Sequence, residues 1–287
     1  MASRNRRRDS DSVRAHKLGS MIDNPRSPRV RAVAKLAKRD ARSETGLFLL
    51  EGPQAVAEAL EFRPELLVEL FATPTASERY GAIARMAVEA GIEVEFVTED
   101  VIDAMADTVT PQGVVAVCRQ FPTSLKDILG GEPKLIAVLE EVRDPGNSGT
   151  IIRAADAAGA DAVILTGRSV DLYNPKVVRA TTGSLFHIPV AVGVELEAVL
   201  EKTKGAGLQV IAADIKGADL LVERTAGTLS GPTAWLFGNE ARGLSDEHFA
   251  LADRAIRVPI YGHAESMNLA TAASVCLYES AFAQRSG

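Results

Sequence analysis

The sequence predicts an α/β protein in two parts. A C-terminal module is built on a mostly parallel sheet covered on both faces, and a smaller α/β module precedes it. Three observations carry this expectation. Short continuous apolar runs, such as LIAVL at 135–139 and TAWLF at 233–237, have the length of strands buried on both faces. Stretches with apolar residues at helical spacing alternate with those runs. Residues 122–133, with Gly130 and Gly131, are rich in breakers and divide the chain.

Residues 1–24 hold Arg, Ser and Asp with little apolar content, and read as a basic, disordered arm. From Arg29, the apolar residues Val30, Val33, Ala34 and Ala37 define a helix with Arg29, Arg31, Lys35, Lys38 and Arg39 on its wetter sides. A strand at 46–50 leads through Glu51-Gly52 into a helix at 53–62, where Pro53 suits the first helical position. Strand 66–72, helix 79–90, strand 92–97, short helix 99–106 and strand 114–119 complete a first domain over 25–121. A linker at 122–132 follows.

The second domain, 133–287, opens with a strand at 135–140, which Asp144-Pro145-Gly146-Asn147 interrupts. A helix is expected from about Ser148, capped by Asn147 or Ser148, with Ile151, Ala154, Ala155 and Ala158 on one face. Then come a strand at 162–165 and a helix at 174–182 carrying Lys176 and Arg179. Gly183-Ser184 turns the chain into an apolar segment at 185–190, followed by a helix at 195–204. Strands at 209–213, 233–237 and 254–258 precede a final helix at 268–283. Its small residues Ala270, Ala272, Ala273 and Ser274 would let a second helix approach closely.

With 287 residues, 46% of them hydrophobic, the chain can bury a substantial core. Cys118 and Cys276 lie in apolar runs without ligand-like spacing, which fits a reduced cytoplasmic protein and no metal site. The sequence shows neither a signal peptide nor an apolar span long enough for a bilayer. Residues 1–44 carry 13 Lys/Arg against 5 Asp/Glu, a net +8, while the rest of the chain carries −14. A basic arm on an acidic body suggests a polyanionic partner, nucleic acid first.

Three strand ends in the second domain share one pattern: an apolar strand, a loop of Gly, Asn, Ser and Glu, then a helix start or a tight turn. The first is VRDPGNSGTIIRAADAAG at 142–159, where Arg153 lies one to two turns into the helix. Free N–H groups and the helix dipole favour anions at such a start. The second is Gly238-Asn239-Glu240-Ala241-Arg242-Gly243, and the third is the loop to Ser266-Met267-Asn268 after a strand ending near Val258 and Pro259. In open α/β sheets, ligands sit beyond the carboxyl ends of the strands. Each piece also has a plainer reading: Arg153 paired with Asp156, Glu240 paired with Arg242, and Ser266 or Asn268 acting only as a helix cap.

These residues carry a resemblance to the SpoU or TrmH branch of the SPOUT RNA methyltransferases. Asp144-Pro145 with Asn147, Gly149, Arg153 and Ala155 is similar to the first motif of that family. Phe237-Gly238-Asn239-Glu240 with Gly243-Leu244 is similar to the second. Ile256, Val258 and Pro259 with Ser266-Met267-Asn268 and Ala270 are similar to the third. Met267 and Leu269 depart from the commoner Leu and Val but keep apolar bulk. The N-terminal segments FLLEG at 48–52 and PQGV at 111–114 resemble the family's substrate-binding domain.

The resemblance implies a deep trefoil knot in the C-terminal domain, an L30e-like N-terminal domain that binds RNA, and a homodimer. It implies S-adenosylmethionine as cofactor and methyl transfer to a ribose 2′-hydroxyl. Ribosomal RNA of the 23S type is favoured; transfer RNA and a silent RNA-binding relative are the alternatives, and an antibiotic-resistance role stays open. Cofactor contacts would come from Ala213, Phe237, Gly238, Asn239, Glu240, Gly243, Ile256, Val258, Pro259, Ser266, Met267 and Asn268. Arg153 would be the central catalytic residue, with Asn147, Glu240, Ser266 and Asn268 orienting it, the ribose and the cofactor. Because a guanidinium stays protonated near neutral pH, Arg153 fits a phosphate clasp and alkoxide stabiliser better than a base. Arg29, Arg31, Lys35, Lys38, Arg39 and Arg179 are the candidate RNA contacts. A dinucleotide-binding oxidoreductase is disfavoured, since Gly146-Asn147-Ser148-Gly149 lacks the required glycine spacing.

Overall fold

The computed structural model describes residues 21–285. Residues 1–20, most of the expected arm, lie outside the described residues. Within the expected arm, Ile22 forms a parallel bridge with Val97, donating to Phe96 and accepting from Thr98.

The first domain runs α1 (Pro28–Lys35), α2 (Arg39–Thr45), β1 (Leu47–Glu51), α3 (Pro53–Phe62), β2 (Leu67–Ala72), α4 (Pro74–Arg79), α5 (Gly81–Glu89), β3 (Val94–Phe96), α6 (Glu99–Met105) and β4 (Val114–Arg119). Its four strands are ordered β1-β4-β2-β3, with β4 antiparallel to both neighbours. The apolar stripe of α1, Val30 and Val33, packs with Phe71, Val101 and Met105 on one face of this sheet.

The second domain runs α7 (Leu125–Gly130), β5 (Leu135–Glu140), α8 (Pro145–Ala158), β6 (Ala162–Thr166), α9 (Pro175–Thr181), β7 (Val190–Val194), α10 (Leu196–Gly205), β8 (Gln209–Asp219), α11 (Leu220–Thr225), β9 (Thr233–Phe237), α12 (Asp246–Ala250), β10 (Arg254–Arg257) and α13 (Leu269–Arg285). Every pairing in its sheet, ordered β10-β8-β9-β5-β6-β7, is parallel. Strands β5, β6 and β7 step one way. The chain then crosses back to lay β8, β9 and β10 on the other side of β5. The reversal falls between β5 and β9, and such switch points open crevices beyond the strand ends.

Several expectations change. The apolar segment at 185–190 takes shape as a 3-10 turn, Ser184–Phe186, with Leu185 and Phe186 buried as core plugs, and β7 starts at Val190. Part of the expected linker is α7, whose Leu125 and Ile128 pack beside Leu196 and Leu208. Strand β8 continues six residues past Ala213, to Asp219. Helix α8 begins at Pro145, with Asp144 as its cap in place of Asn147 or Ser148. Proline at the first helical position, preceded by Asp, explains that start.

The two domains share one apolar core. Phe48 of β1 meets Tyr173 in a tilted ring contact at 4.8 Å, and Phe121 stacks on Phe186. Arg42 is buried; its guanidinium pairs with Asp171 of the second domain at 2.5 Å and donates to the carbonyls of Leu36 and Ala37.

Candidate active site

Helix α8 places the first motif. Asp144 accepts the N–H of Asn147 at 2.7 Å, and that capping bond leaves the Asn147 side chain free for other work. Gly149 serves packing: a Cβ there would lie 2.5 Å from Cβ of Ala180 and 2.6 Å from the carbonyl of Val177. The glycine thus lets α9 close on α8, and Ile151, Ile152, Ala155 and Ala158 form the buried face.

The second motif folds into a closed turn after β9. Asn239 and Gly243 exchange backbone hydrogen bonds at 3.1 and 2.8 Å. The Asn239 side-chain oxygen accepts the N–H groups of Ala241 and Arg242, and its amide donates to the Glu141 carbonyl at 2.8 Å. Gly243 sits at φ +65°, and a Cβ on Gly238 would lie 2.5 Å from the Gly243 carbonyl carbon. Both glycines are therefore dictated by the turn itself.

Glu240 points back across the sheet switch. It accepts the backbone N–H of Asp144 at 2.9 Å and of Arg143 at 3.2 Å, together with the Asn147 amide at 3.4 Å. Burial works to raise its pKa, but these donors and its own N–H outweigh burial and hold the carboxyl below the usual range. From the third motif, the Asn268 amide donates to the Asn147 side-chain oxygen at 3.0 Å. Asn268 also accepts the Thr271 N–H, so it caps α13 and joins the network at once.

A cleft opens beside this network at the ends of β8, β9 and β10. It encloses about 720 Å³, including its solvent-open mouth. Ala213, Phe237, Asn239, Glu240, Ile256, Val258, Ser266 and Met267 line it, all candidate residues. Arg257 lines it as well, and Asp214, Ile215, Ile260, Leu269 and Ala272 line it and were missed, the first two because β8 outruns its expected end. Gly238, Gly243, Pro259 and Asn268 are not among the lining residues.

The profile of the SpoU rRNA Methylase family matches residues 134–278. The chain belongs to this family. A second profile, RNA 2′-O ribose methyltransferase substrate binding, matches residues 49–124. This SpoU chain is 33% identical to the 23S rRNA (guanosine(2553)-2′-O)-methyltransferase RlmP of Bacillus subtilis, over 90% of its own length and 97% of that protein. Among solved structures, the AdoMet-bound rRNA methyltransferase from Sinorhizobium meliloti superposes with a TM-score of 0.79 at 35% identity, covering 91% of this chain and 96% of that one. The SpoU methyltransferase AviRb from Streptomyces viridochromogenes, in complex with the cofactor AdoMet, gives 0.77 at 30% identity, covering 91% and 100%.

The remaining candidates of this SpoU chain are scattered. Arg153 is exposed on α8 and has no hydrogen bond or ion pair among the described residues, because Asp156 turns to His187 instead. Glu240 likewise does not pair with Arg242, which bonds Glu141. Ser266 lies on the cleft rim. Arg31, Lys35, Lys38 and Arg39 are exposed. Arg29 is tied to Glu69 and Glu95 over the Phe71 ring, and Arg179 of α9 is tied to Glu51 and Asp107 across the domain seam. Those two cations fasten the protein to itself; carboxylates distant in sequence claimed them.

Proposed function

We propose that this protein methylates a ribose 2′-hydroxyl of 23S ribosomal RNA using S-adenosylmethionine, with the first domain docking the RNA. The observation that carries the reading is Asn147, whose amide bonds Glu240 on one side and Asn268 on the other, beside a cleft of matching character. The walls Ile256, Val258, Ile260 and Leu269 suit a flat base, and Asp214, Asn239 and Ser266 supply polar ends for hydroxyl and amino acid groups. When bound, the cofactor supplies an electrophilic methyl on a positively charged sulfur.

The protein's task is then alignment and charge control. Asp214, Asn239 and Ser266 would hold the cofactor so that it presents its carbon–sulfur bond to the ribose oxygen, with solvent water taking up the hydroxyl proton. Holding the oxygen in line with that bond is the larger part of such catalysis. Arg153 grips an adjacent phosphate and stabilises the developing alkoxide. Glu240 is a poor proton acceptor, since backbone N–H groups fill its oxygens and favour its ionised form. Its part is to fix the first loop.

The working unit is a homodimer in the cytoplasm. Val222 of α11 is 63% exposed, Tyr261 84% and Tyr278 of α13 37%, exposed apolar and aromatic side chains that a second copy would cover. The small residues of α13 do not serve that seam alone, because Ala270 and Ala273 are buried within the chain. No helix among the described residues is long and apolar enough to cross a membrane. Incubating purified protein with labelled S-adenosylmethionine and ribosomal RNA, then mapping 2′-O-methyl sites, tests the proposal. One labelled ribose in 23S RNA is expected. Label in base or protein, or none, refutes it.

A further inference from the structure

Outside the network just described, three arginines converge on one carboxylate. Glu141 Oε2 is 2.7 Å from Arg242 and 3.2 Å from Arg143, and its Oε1 is 3.2 Å from Arg168. The three come from loops after β9, β5 and β6, which lie side by side in the sheet. Their side chains are 64%, 49% and 81% exposed, whereas Glu141 is only 21% exposed. Three cations on one anion leave a surplus of two positive charges on a body that is otherwise acidic. Each guanidinium offers five N–H donors and gives one to Glu141.

Stability alone explains this cluster badly. Exposed ion pairs each add little to stability. Yet Glu141 takes a left-handed backbone, φ +51°, which strains a non-glycine residue. The strain is held in place from outside. The Glu141 carbonyl accepts the Asn239 amide of the second motif, and its N–H reaches the Thr166 carbonyl. Arg143 in turn donates its own backbone N–H to Glu240. The arginine cluster is thus built into the same loops as the Asn147 network, with fixed heads and free donors. Planar donors held this way match phosphate oxygens.

We propose that Arg143, Arg168 and Arg242, braced by Glu141, form a phosphate-binding fork for the RNA strand that carries the methylated ribose. The proposal rests on the RNA methyltransferase reading and adds its strand-gripping element. Arg153 is separate, standing inside α8 without a brace.

The test measures equilibrium binding of transcribed 23S ribosomal RNA across salt, with cofactor binding and melting temperature alongside. The Arg168→Ala/Arg242→Ala double variant should bind RNA about tenfold or more weakly, and its log K against log salt slope should fall by about 2. Cofactor affinity and melting temperature should stay at wild-type values. Glu141→Gln removes a negative charge and should hold or raise RNA affinity at low salt. An unchanged salt slope overturns the fork. So does RNA loss that appears only together with lost cofactor affinity or a lowered melting temperature, which would make the cluster a loop brace. Wild-type protein that binds RNA with this arginine dependence yet methylates nothing would sink the enzymatic reading and keep the fork. Wild-type protein that binds no RNA sinks both.

Discussion

The Asn268 side-chain amide donates to Oδ1 of Asn147 at 3.0 Å, joining residues 121 positions apart. This one bond ties the loop before α13 to the first turn of α8, and Asn147 passes the connection on to Glu240. Breaking either end should therefore have the same consequence. Asn147→Ala and Asn268→Ala are each expected to lower methyl transfer by about tenfold or more, and the double variant by little beyond either one. A double-mutant cycle on single-turnover rates should give a coupling of about 1 kcal/mol or more. Strict additivity would show that the two residues act separately. Asn147→Asp should be worse than Ala, since it sets a second carboxylate against Glu240.

Arg153 makes no contact that folding needs. Arg153→Ala is expected to cost about 10²–10³ in single-turnover rate, the scale of one lost oxyanion donor. Melting temperature and cofactor affinity should hold. Arg153→Lys keeps charge but not the planar grip and should rescue poorly. A Lys variant that matches Arg at raised pH would instead point to a deprotonated side chain as base.

Gly238 has no room for a methyl group. A Cβ would meet the Gly243 carbonyl carbon at 2.5 Å and the Leu244 nitrogen at 2.7 Å, all of it backbone. Gly238→Ala should destabilise by about 1–3 kcal/mol and abolish cofactor binding in calorimetry. Wild-type affinity in this variant would separate the turn from the cleft.

His187 gives the domain seam a pH dependence. It bonds Asp156 of its own domain at 2.9 Å and Glu58 of the other at 3.1 Å, under the ring of Phe62. Burial works to lower its pKa, but the two carboxylates raise it above the ordinary 6.5. A group whose folded pKa is raised stabilises fully below its unfolded value and loses that effect as pH rises through the folded one. Thermal unfolding should show about 1 kcal/mol or less of added stability on the mildly acidic side. His187→Gln should flatten that slope. An unaltered slope would remove His187 as the source.

The dimer is tested by one surface change. Light scattering should give a dimer for the wild type, and Val222→Arg should shift it to monomer and reduce methyl transfer. A wild-type monomer with full activity would refute the arrangement.

The sequence by itself determined the alternation of strands and helices and the places where the loops fall. A strand buried on both faces must be a continuous apolar run, as LIAVLE and TAWLF are, and Asp-Pro and Gly-Asn break such runs locally. It also marked the three strand-end loops. What each polar side chain does inside those loops was left to the tertiary structure. Asn147 was as good a cap as Asp144 on local grounds, and only the fold assigns it to Glu240 and Asn268. Arg29 and Arg179 were candidate RNA contacts on local grounds, and only sheet pairing and domain docking brought Glu69, Glu95, Glu51 and Asp107 against them. Glu141 carried no signal in the sequence; its arginines come from three strands that only the order β9-β5-β6 makes neighbours. The physical reason is range. Periodicity and capping act over a turn or two of chain, whereas these hydrogen bonds close across as many as 121 residues, where only the packing of the sheet decides who meets whom.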